Sequence, residues 1–446
     1  MTLNSRRFAG RAFLPRRPSL TIYLCLALFV PWDFATMRSS LHLHAAASAT
    51  PDSRNADTGT CWSREEHLRR LGVAAWHETG FRGRGVKVAV LDSGFSGYRE
   101  HLGHALPEQV RVKSFRRDGN LEAKPSQHGI LCGEVVHALA PDAEMLLANW
   151  EPDRPDQFLD AVRWATKQGA RVITCSVITP TWSDCEGGGS VHRELARILG
   201  AGDRPGHVLF FACAGNTAQR HWSGAFHDAG SGWHEWAAGC RDNGIVPWAG
   251  DGVSVELCCA AKCRLELSVY DATAQEKVGS CVTAEANEHG CAVVHFVPHD
   301  NHTYTARVHA GETVTGRFHL VVLGAGLHFA SAPGSVAFPG DGAEVIAVGA
   351  VEAGGQRAPY SSFGQNDIDP KPDFVAPVPF ASAWRDRAFS GTSAAAPQAA
   401  GLACLLWSKH PEWTAHHVRS ELENDADQLA KTRPDPETGY GCIHAP

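Results

Sequence analysis

The amino-acid sequence predicts an α/β fold, a doubly wound and mostly parallel sheet with an antiparallel β-sandwich inserted into it. Three observations carry this reading. Near-continuous apolar runs recur at 86–91, 145–148, 171–177, 208–213 and 345–348, the pattern of strands buried on both faces of a parallel sheet. Segments with helical spacing lie between them, at 129–139, 157–168 and 191–199, and strand alternating with helix means βαβ units. From 253 to 323 the period drops to two and turn residues separate the runs, which is the signature of a small antiparallel sandwich.

The elements divide the chain into five stretches. Residues 1–49 read as a signal peptide or N-terminal anchor. Arg6, Arg7, Arg11, Arg16 and Arg17 precede an apolar run at 20–30 with no acid among them. A run of about 11 residues is too short to span a bilayer and suits a signal-peptide core. Small residues at 45–50 place cleavage after Ala49, with Ala47 as the second small position; an uncleaved anchor is the alternative. Arg6–Arg7 are read as leader charge rather than as a twin-arginine signal. The expected location is therefore secreted, periplasmic or cell-envelope, with membrane contact only through this segment. Residues 50–82 form an N-terminal extension, in which 62–80 has helical spacing and ends at Gly80. The α/β pattern fills 83–220, the sandwich 221–327, and the α/β pattern returns over 328–446. Insertion at a surface loop is the arrangement best tolerated by a folded domain.

Composition narrows the function. The chain has 446 residues, of which 43% are hydrophobic and 20% charged, an ordinary balance for a protein with a large core. Lys+Arg at 41 against Asp+Glu at 48 gives a net charge of -7, which argues against a nucleic-acid partner. A mean hydropathy of -0.21 with one strongly apolar run excludes a multi-pass membrane protein. Of 14 cysteines, Cys132, Cys175, Cys213 and Cys404 stand in apolar company and read as small buried residues. Cys240, Cys258, Cys259, Cys263, Cys281 and Cys291 are disulfide candidates in an oxidising compartment. Their spacing is poor for zinc, and the connectivity stays open.

Three motifs carry chemistry. Asp92 ends the first buried strand in VAVLDSG, His128 opens a helix in QHGILCGEVV, and Ser393 opens a long apolar helix in SGTSAAAP. Serine acyl transfer needs a nucleophile, an imidazole to take its proton and a buried carboxylate to orient the imidazole. Open α/β sheets place such sites at the carboxyl ends of their strands. The order Asp, His, Ser is that of subtilisin. On GRGVKVAVLDSG, QHG and SGTSAAAP, together with PYSSFGQNDIDPKPDFVAP at 359–377 and GYGCIHA near the C-terminus, the chain resembles the subtilase family of serine endopeptidases (peptidase S8). The resemblance covers about 62–220 and 328–446.

The resemblance implies a subtilisin-like fold and hydrolysis of peptide bonds in a protein or peptide substrate through an acyl-enzyme. It makes Asp92, His128 and Ser393 the catalytic residues. It makes Asn216, in FFACAGNTA, an oxyanion donor beside the Ser393 N–H. It implies substrate-backbone contacts at Ser176–Val177 and Ala214–Gly215. No cofactor is required; structural calcium is common in the family, but no ligand loop here can be named. Two positions depart from the family pattern: Ile130 stands where Thr is usual, and Ile178 where a Gly rims the specificity pocket. The extension after the leader is also shorter than the family's inhibitory pro-segment. The alternative reading is a catalytically weak homologue whose insert binds protein or glycan, and a third is a serine esterase. In the insert, His295, His299, His302, His309 and His319 are expected to be exposed polar positions rather than a metal set; the insert's partner is unknown.

Overall fold

The computed structural model describes residues 61–248, 252–259, 263–283, 290–311, 314, 316–364 and 370–446. The leader with Ala47 and Ala49 lies outside them. Contacts divide the chain into two units, 1–48 and 49–446, and all the described residues belong to the second. Among the described residues, no helix is long and apolar enough to cross a membrane.

The expected single helix over 62–80 is two, α1 (Arg64–Arg70) and α2 (Val73–Glu78). Ser63 caps α1 by accepting the Glu66 N–H at 3.1 Å, with acids in the first turn and bases in the last, as the helix dipole favours. The break falls at Gly72, whose φ of 73° is left-handed and open to glycine at little cost. α1 packs on the main core through Leu68, and α2 enters it through Val73 and Trp76, with Leu71 between them.

The central sheet has seven parallel strands in the order β16-β15-β5-β4-β1-β3-β2. They are β1 (Lys87–Leu91), β2 (Val110–Ser114), β3 (Glu144–Asn149), β4 (Val172–Cys175), β5 (Leu209–Cys213), β15 (Ile346–Val351) and β16 (Phe374–Pro377). The five buried runs read from the sequence are β1, β3, β4, β5 and β15, with ends shifted by up to three residues; β2, whose residues are largely exposed, and the short β16 were not read as strands. Helices α3 (His128–Leu139), α4 (Pro155–Lys167), α5 (Ser190–Leu199), α6 (Thr392–Lys409) and α7 (Ala415–Asp425) supply the layers around it. Two hydrophobic clusters result. One holds α3, α6 and one sheet face, and the other holds α4, α5 and the opposite face. From β1 the chain moves to the β2 edge, and from β4 it moves the other way to β5. The β1–β4 boundary is therefore the switch point where open α/β sheets leave a crevice.

Antiparallel strands run from His221 to Leu327. They form a five-stranded sheet, β10-β9-β12-β7-β14, and a four-stranded sheet, β11-β8-β13-β6. Their members are β6 (His221–Ala225), β7 (Asn243–Pro247), β8 (Val253–Cys259), β9 (Leu265–Asp271), β10 (Glu276–Val282), β11 (Cys291–Phe296), β12 (Tyr304–Ala310), β13 (Arg317–Leu323) and β14 (Ala325–Leu327). A hydrophobic cluster of their own lies among them, with Val255, Leu257, Leu267, Val308 and Leu320 at its centre. One disulfide forms here, Cys259–Cys263. Among the other candidates, Cys240, Cys258 and Cys281 are thiols, and Cys258 Sγ lies 3.2 Å from Cys291 Sγ. His295 and His299 are exposed as expected, but the expectation needs correction at His302 and His309, which are half-buried, and most of all at His319. It is 2% exposed and bonds His221 Nε2 at 3.0 Å and Glu186 at 2.9 Å.

Candidate active site

The seven residues singled out in the sequence come from five segments, the ends of β1, β4 and β5 and the starts of α3 and α6. Asp92 follows β1 directly and is fully buried. Its Oδ1 accepts the Gly94 N–H at 3.0 Å, and its Oδ2 lies 2.7 Å from His128 Nδ1. His128 is the first residue of α3, and its ring stands edge-on to Phe389 with centroids 5.5 Å apart. This approach of helix to strand depends on the next residue having no side chain. A Cβ on Gly129 would lie 2.5 Å from the Phe95 ring and 2.8 Å from the Asp92 Cβ. Burial by itself lowers the proton affinity of His128. The Asp92 charge and hydrogen bond outweigh it, and the imidazole pKa is raised well above its ordinary 6.5.

Ser393 is the second residue of α6 and is 9% exposed. Gly391 caps the helix with φ at 82° and no side-chain hydrogen bond. In the first turn the Thr392 N–H goes to Asn216 Oδ1 at 3.0 Å and the Ala394 N–H to the Gly391 carbonyl at 2.9 Å, and the positive end of the helix dipole lies at this point. Pro397 has no N–H to give to the Ser393 carbonyl four residues back. Ser176, immediately past β4, fills the gap: its Oγ donates to the Ser393 carbonyl at 3.2 Å. The end of β4 is thereby tied to the first turn of α6.

Asn216 follows β5, and its Oδ1 accepts from the Thr392 N–H at 3.0 Å and the Thr392 hydroxyl at 2.9 Å. Those two donors fix which way the amide points. Its Nδ2 then faces Gly391, where a Cβ would come within 2.8 Å of it. Arg220, stacked over Trp248 at 4.6 Å, holds the Asn216 carbonyl through its Nε at 3.1 Å. The Ala214 N–H goes to the Val348 carbonyl, and the Gly215 N–H goes to the Thr392 hydroxyl at 3.2 Å. The Gly215 carbonyl accepts from Ser362. Gly215 is buried with both backbone polar groups engaged inside the protein, and the position of its absent Cβ is 3.6 Å from Ile178 Cγ2. Ile130 is wholly buried in the core.

One residue at this site was missed in the sequence. Cys132, grouped there with the inert buried thiols, lies one turn past His128 on α3. Its Sγ is 3.9 Å from both His128 Nδ1 and Asp92 Oδ2, and 3.8 Å from the Ser393 carbonyl. The i, i+4 spacing from His128 was the available signal. Burial raises the thiol's pKa, so it stays protonated and packs as a small neutral group. Asp92, His128 and Cys132 are the one group of metal-ligand type found within mutual reach among the described residues. Calcium takes six to eight oxygens, and a single carboxylate beside nitrogen and sulfur does not fit it.

A parallel α/β sheet with a carboxylate-bound imidazole and a helix-start serine at its carboxyl edge defines the class of serine hydrolases that work by acyl transfer. The comparisons narrow the class. The model of the subtilase family, peptidase S8, matches residues 83–318 and 300–441, and the chain belongs to that family. Subtilisin NAT of Bacillus subtilis subsp. natto is 39% identical over 98 residues, 22% of this chain and 26% of the relative. Subtilisin of Bacillus pumilus matches at 39% over 98 residues, 22% of this chain and 35% of the relative. The matches thus span about a quarter to a third of these relatives' length. The CspB protease of Clostridium perfringens shares the fold, with a TM-score of 0.61 at 15% identity, over 85% of this chain and 96% of that one.

Proposed function

We propose that this chain is an exported subtilisin-like serine endopeptidase with Ser393 as nucleophile, His128 as general base and Asp92 as its orienting carboxylate. The single observation that carries the reading is the 2.7 Å contact between His128 Nδ1 and the buried Asp92 Oδ2. A proton held on Nδ1 by that carboxylate leaves Nε2 with a free lone pair. Nε2 is then the base that takes the Ser393 hydroxyl proton as the oxygen attacks the scissile carbonyl. Asp92 stabilises the imidazolium that forms. The oxyanion is received by the orphan N–H of Ser393 and by Asn216 Nδ2; loss of one such donor costs about 10²–10³ in kcat. His128 next protonates the leaving amine, and water repeats the cycle on the acyl-enzyme. The substrate lies extended along Ser176–Val177 by strand addition.

The experiment is casein hydrolysis by the secreted protein beside its Ser393→Ala variant. Clearing by the first and loss of at least about 10⁴-fold in the second is expected. Equal clearing by both would remove the assignment. N-terminal sequencing of the secreted form tests export, with Thr50 expected as its first residue.

A further inference from the structure

The polar residues of β8 in the insert's four-stranded sheet do not face solvent. Ser254, Glu256 and Cys258 alternate along β8 and pair with His295, Val293 and Cys291 of β11. This face meets the segment that follows β4. At one end the contact is closed: Cys258 Sγ lies 3.7 Å from the Pro180 carbonyl, and Cys291 Sγ 3.5 Å from that of Ser183. At the other end the two surfaces part around a cavity of about 600 Å³. Ile178, Trp182 and Pro152 give it apolar walls, while Asp153, Glu256 and His295 give it ionisable groups. No lysine or arginine lines it among the described residues. Asp153 and His295 are exposed at its rim. Glu256 is 7% exposed and accepts the Ser254 hydroxyl at 2.8 Å.

The cavity begins where the proposed substrate edge ends. Ser176 bonds the Ser393 carbonyl, and Ile178, two residues on, is already a cavity wall. Two residues of extended chain cover about 7 Å. A substrate side chain two to four residues from the scissile bond is therefore within reach of it. Apolar walls leading to an enclosed carboxylate suit a side chain with an aliphatic stem and a cationic end. A bound cation also offsets the cost of keeping Glu256 ionised away from water.

We propose that this junction cavity is a substrate subsite for an arginine or lysine side chain, with Glu256 of the insert as its specificity-determining residue. The proposal rests on the peptidase reading above and assigns the insert a part in substrate choice. Fluorogenic peptides scanned with arginine, lysine or norleucine at each position on both sides of the scissile bond test it. One position is expected to favour the cationic residues by about tenfold or more in kcat/KM, and Glu256→Gln is expected to erase that preference while leaving norleucine peptides unchanged. Equal rates for the three residues at every position, or a preference that survives in Glu256→Gln, would overturn it. The same peptides titrated against the Ser393→Ala protein separate the two claims. A tenfold tighter Kd for the arginine peptide that depends on Glu256, without turnover in the parent protein, keeps the subsite and removes the peptidase. Turnover in the parent with no binding preference does the reverse.

Discussion

Strands β5 and β8 are each buried along their whole length, but for different reasons. Leu209–Cys213 is apolar throughout because helices cover both faces of the parallel sheet. Strand β8 alternates. Val253, Val255, Leu257 and Cys259 enter the insert's own core. Ser254, Glu256 and Cys258 face the segment after β4, where Cys258 joins Cys185 and Cys291 in a separate buried cluster. The comparison teaches that a period of two identifies a polar face without saying that the face is wet. Two adjacent cysteines illustrate it. Cys259 bridges to Cys263 beside the insert core, while Cys258 seals a junction with the catalytic unit.

The deepest break on the parallel-sheet side is at His192. Its ring is 3% exposed and lies between Asp341 at 3.0 Å and Glu344 at 2.6 Å. His192→Ala leaves two carboxylates without their cation, and urea unfolding is expected to show a loss of about 3–5 kcal/mol. The pH dependence has a definite sign. Burial opposes the charge on His192, but the two carboxylates win and raise its pKa from 6.5 to about 10. Its contribution is full below 6.5 and fades as pH rises toward 10. Asp341 works in the opposite sense. Burial alone would raise its pKa, His192 lowers it below 3.8, and its contribution fades as pH falls below that value. The advantage of the parent over His192→Ala is thus expected to be widest between about pH 4 and 6.5 and to narrow on both sides.

Gly129→Ala comes next. The added methyl must displace the Phe95 ring or Asp92 itself, and misplacement of a catalytic group by about 1 Å costs about 10²-fold. A fall of that size in kcat/KM is expected, with a stability loss of about 1–3 kcal/mol. Retention of full activity would show that the strand–helix approach does not set the imidazole. On the insert side, replacing both Cys259 and Cys263 by serine removes a short loop closure and is expected to cost about 2 kcal/mol or less. Turnover of a small ester that does not reach the junction cavity should be unchanged, and a large loss there would mean that the insert shapes the catalytic edge itself. The smallest effect is in the pH–rate profile. In the proposed mechanism His128 must be neutral, and because its pKa is raised, the ascending limb of kcat/KM is expected above 6.5 rather than at or below it.

Much of this was legible in the sequence, for identifiable reasons. Asp92, His128 and Ser393 stand in motifs at strand ends and helix starts, and the parallel strands announce themselves by apolar runs. What was not legible depends on approach between distant segments. The role of Ser176 toward the Ser393 carbonyl follows from Pro397, 221 positions away by number, once both are brought to one edge. The break at Gly72 was hidden because the apolar spacing continues across it. His319 was taken for an exposed strand residue because its partner Glu186 belongs to another part of the chain.

The most direct measurement of the central claim is covalent labelling by a fluorophosphonate, with the adduct located by peptide mass spectrometry. Attack by an activated serine predicts a single adduct on Ser393, and its rate should collapse in His128→Ala while the fold persists. A folded protein that takes no label, or takes it elsewhere, or reacts equally fast without the imidazole, would contradict the account.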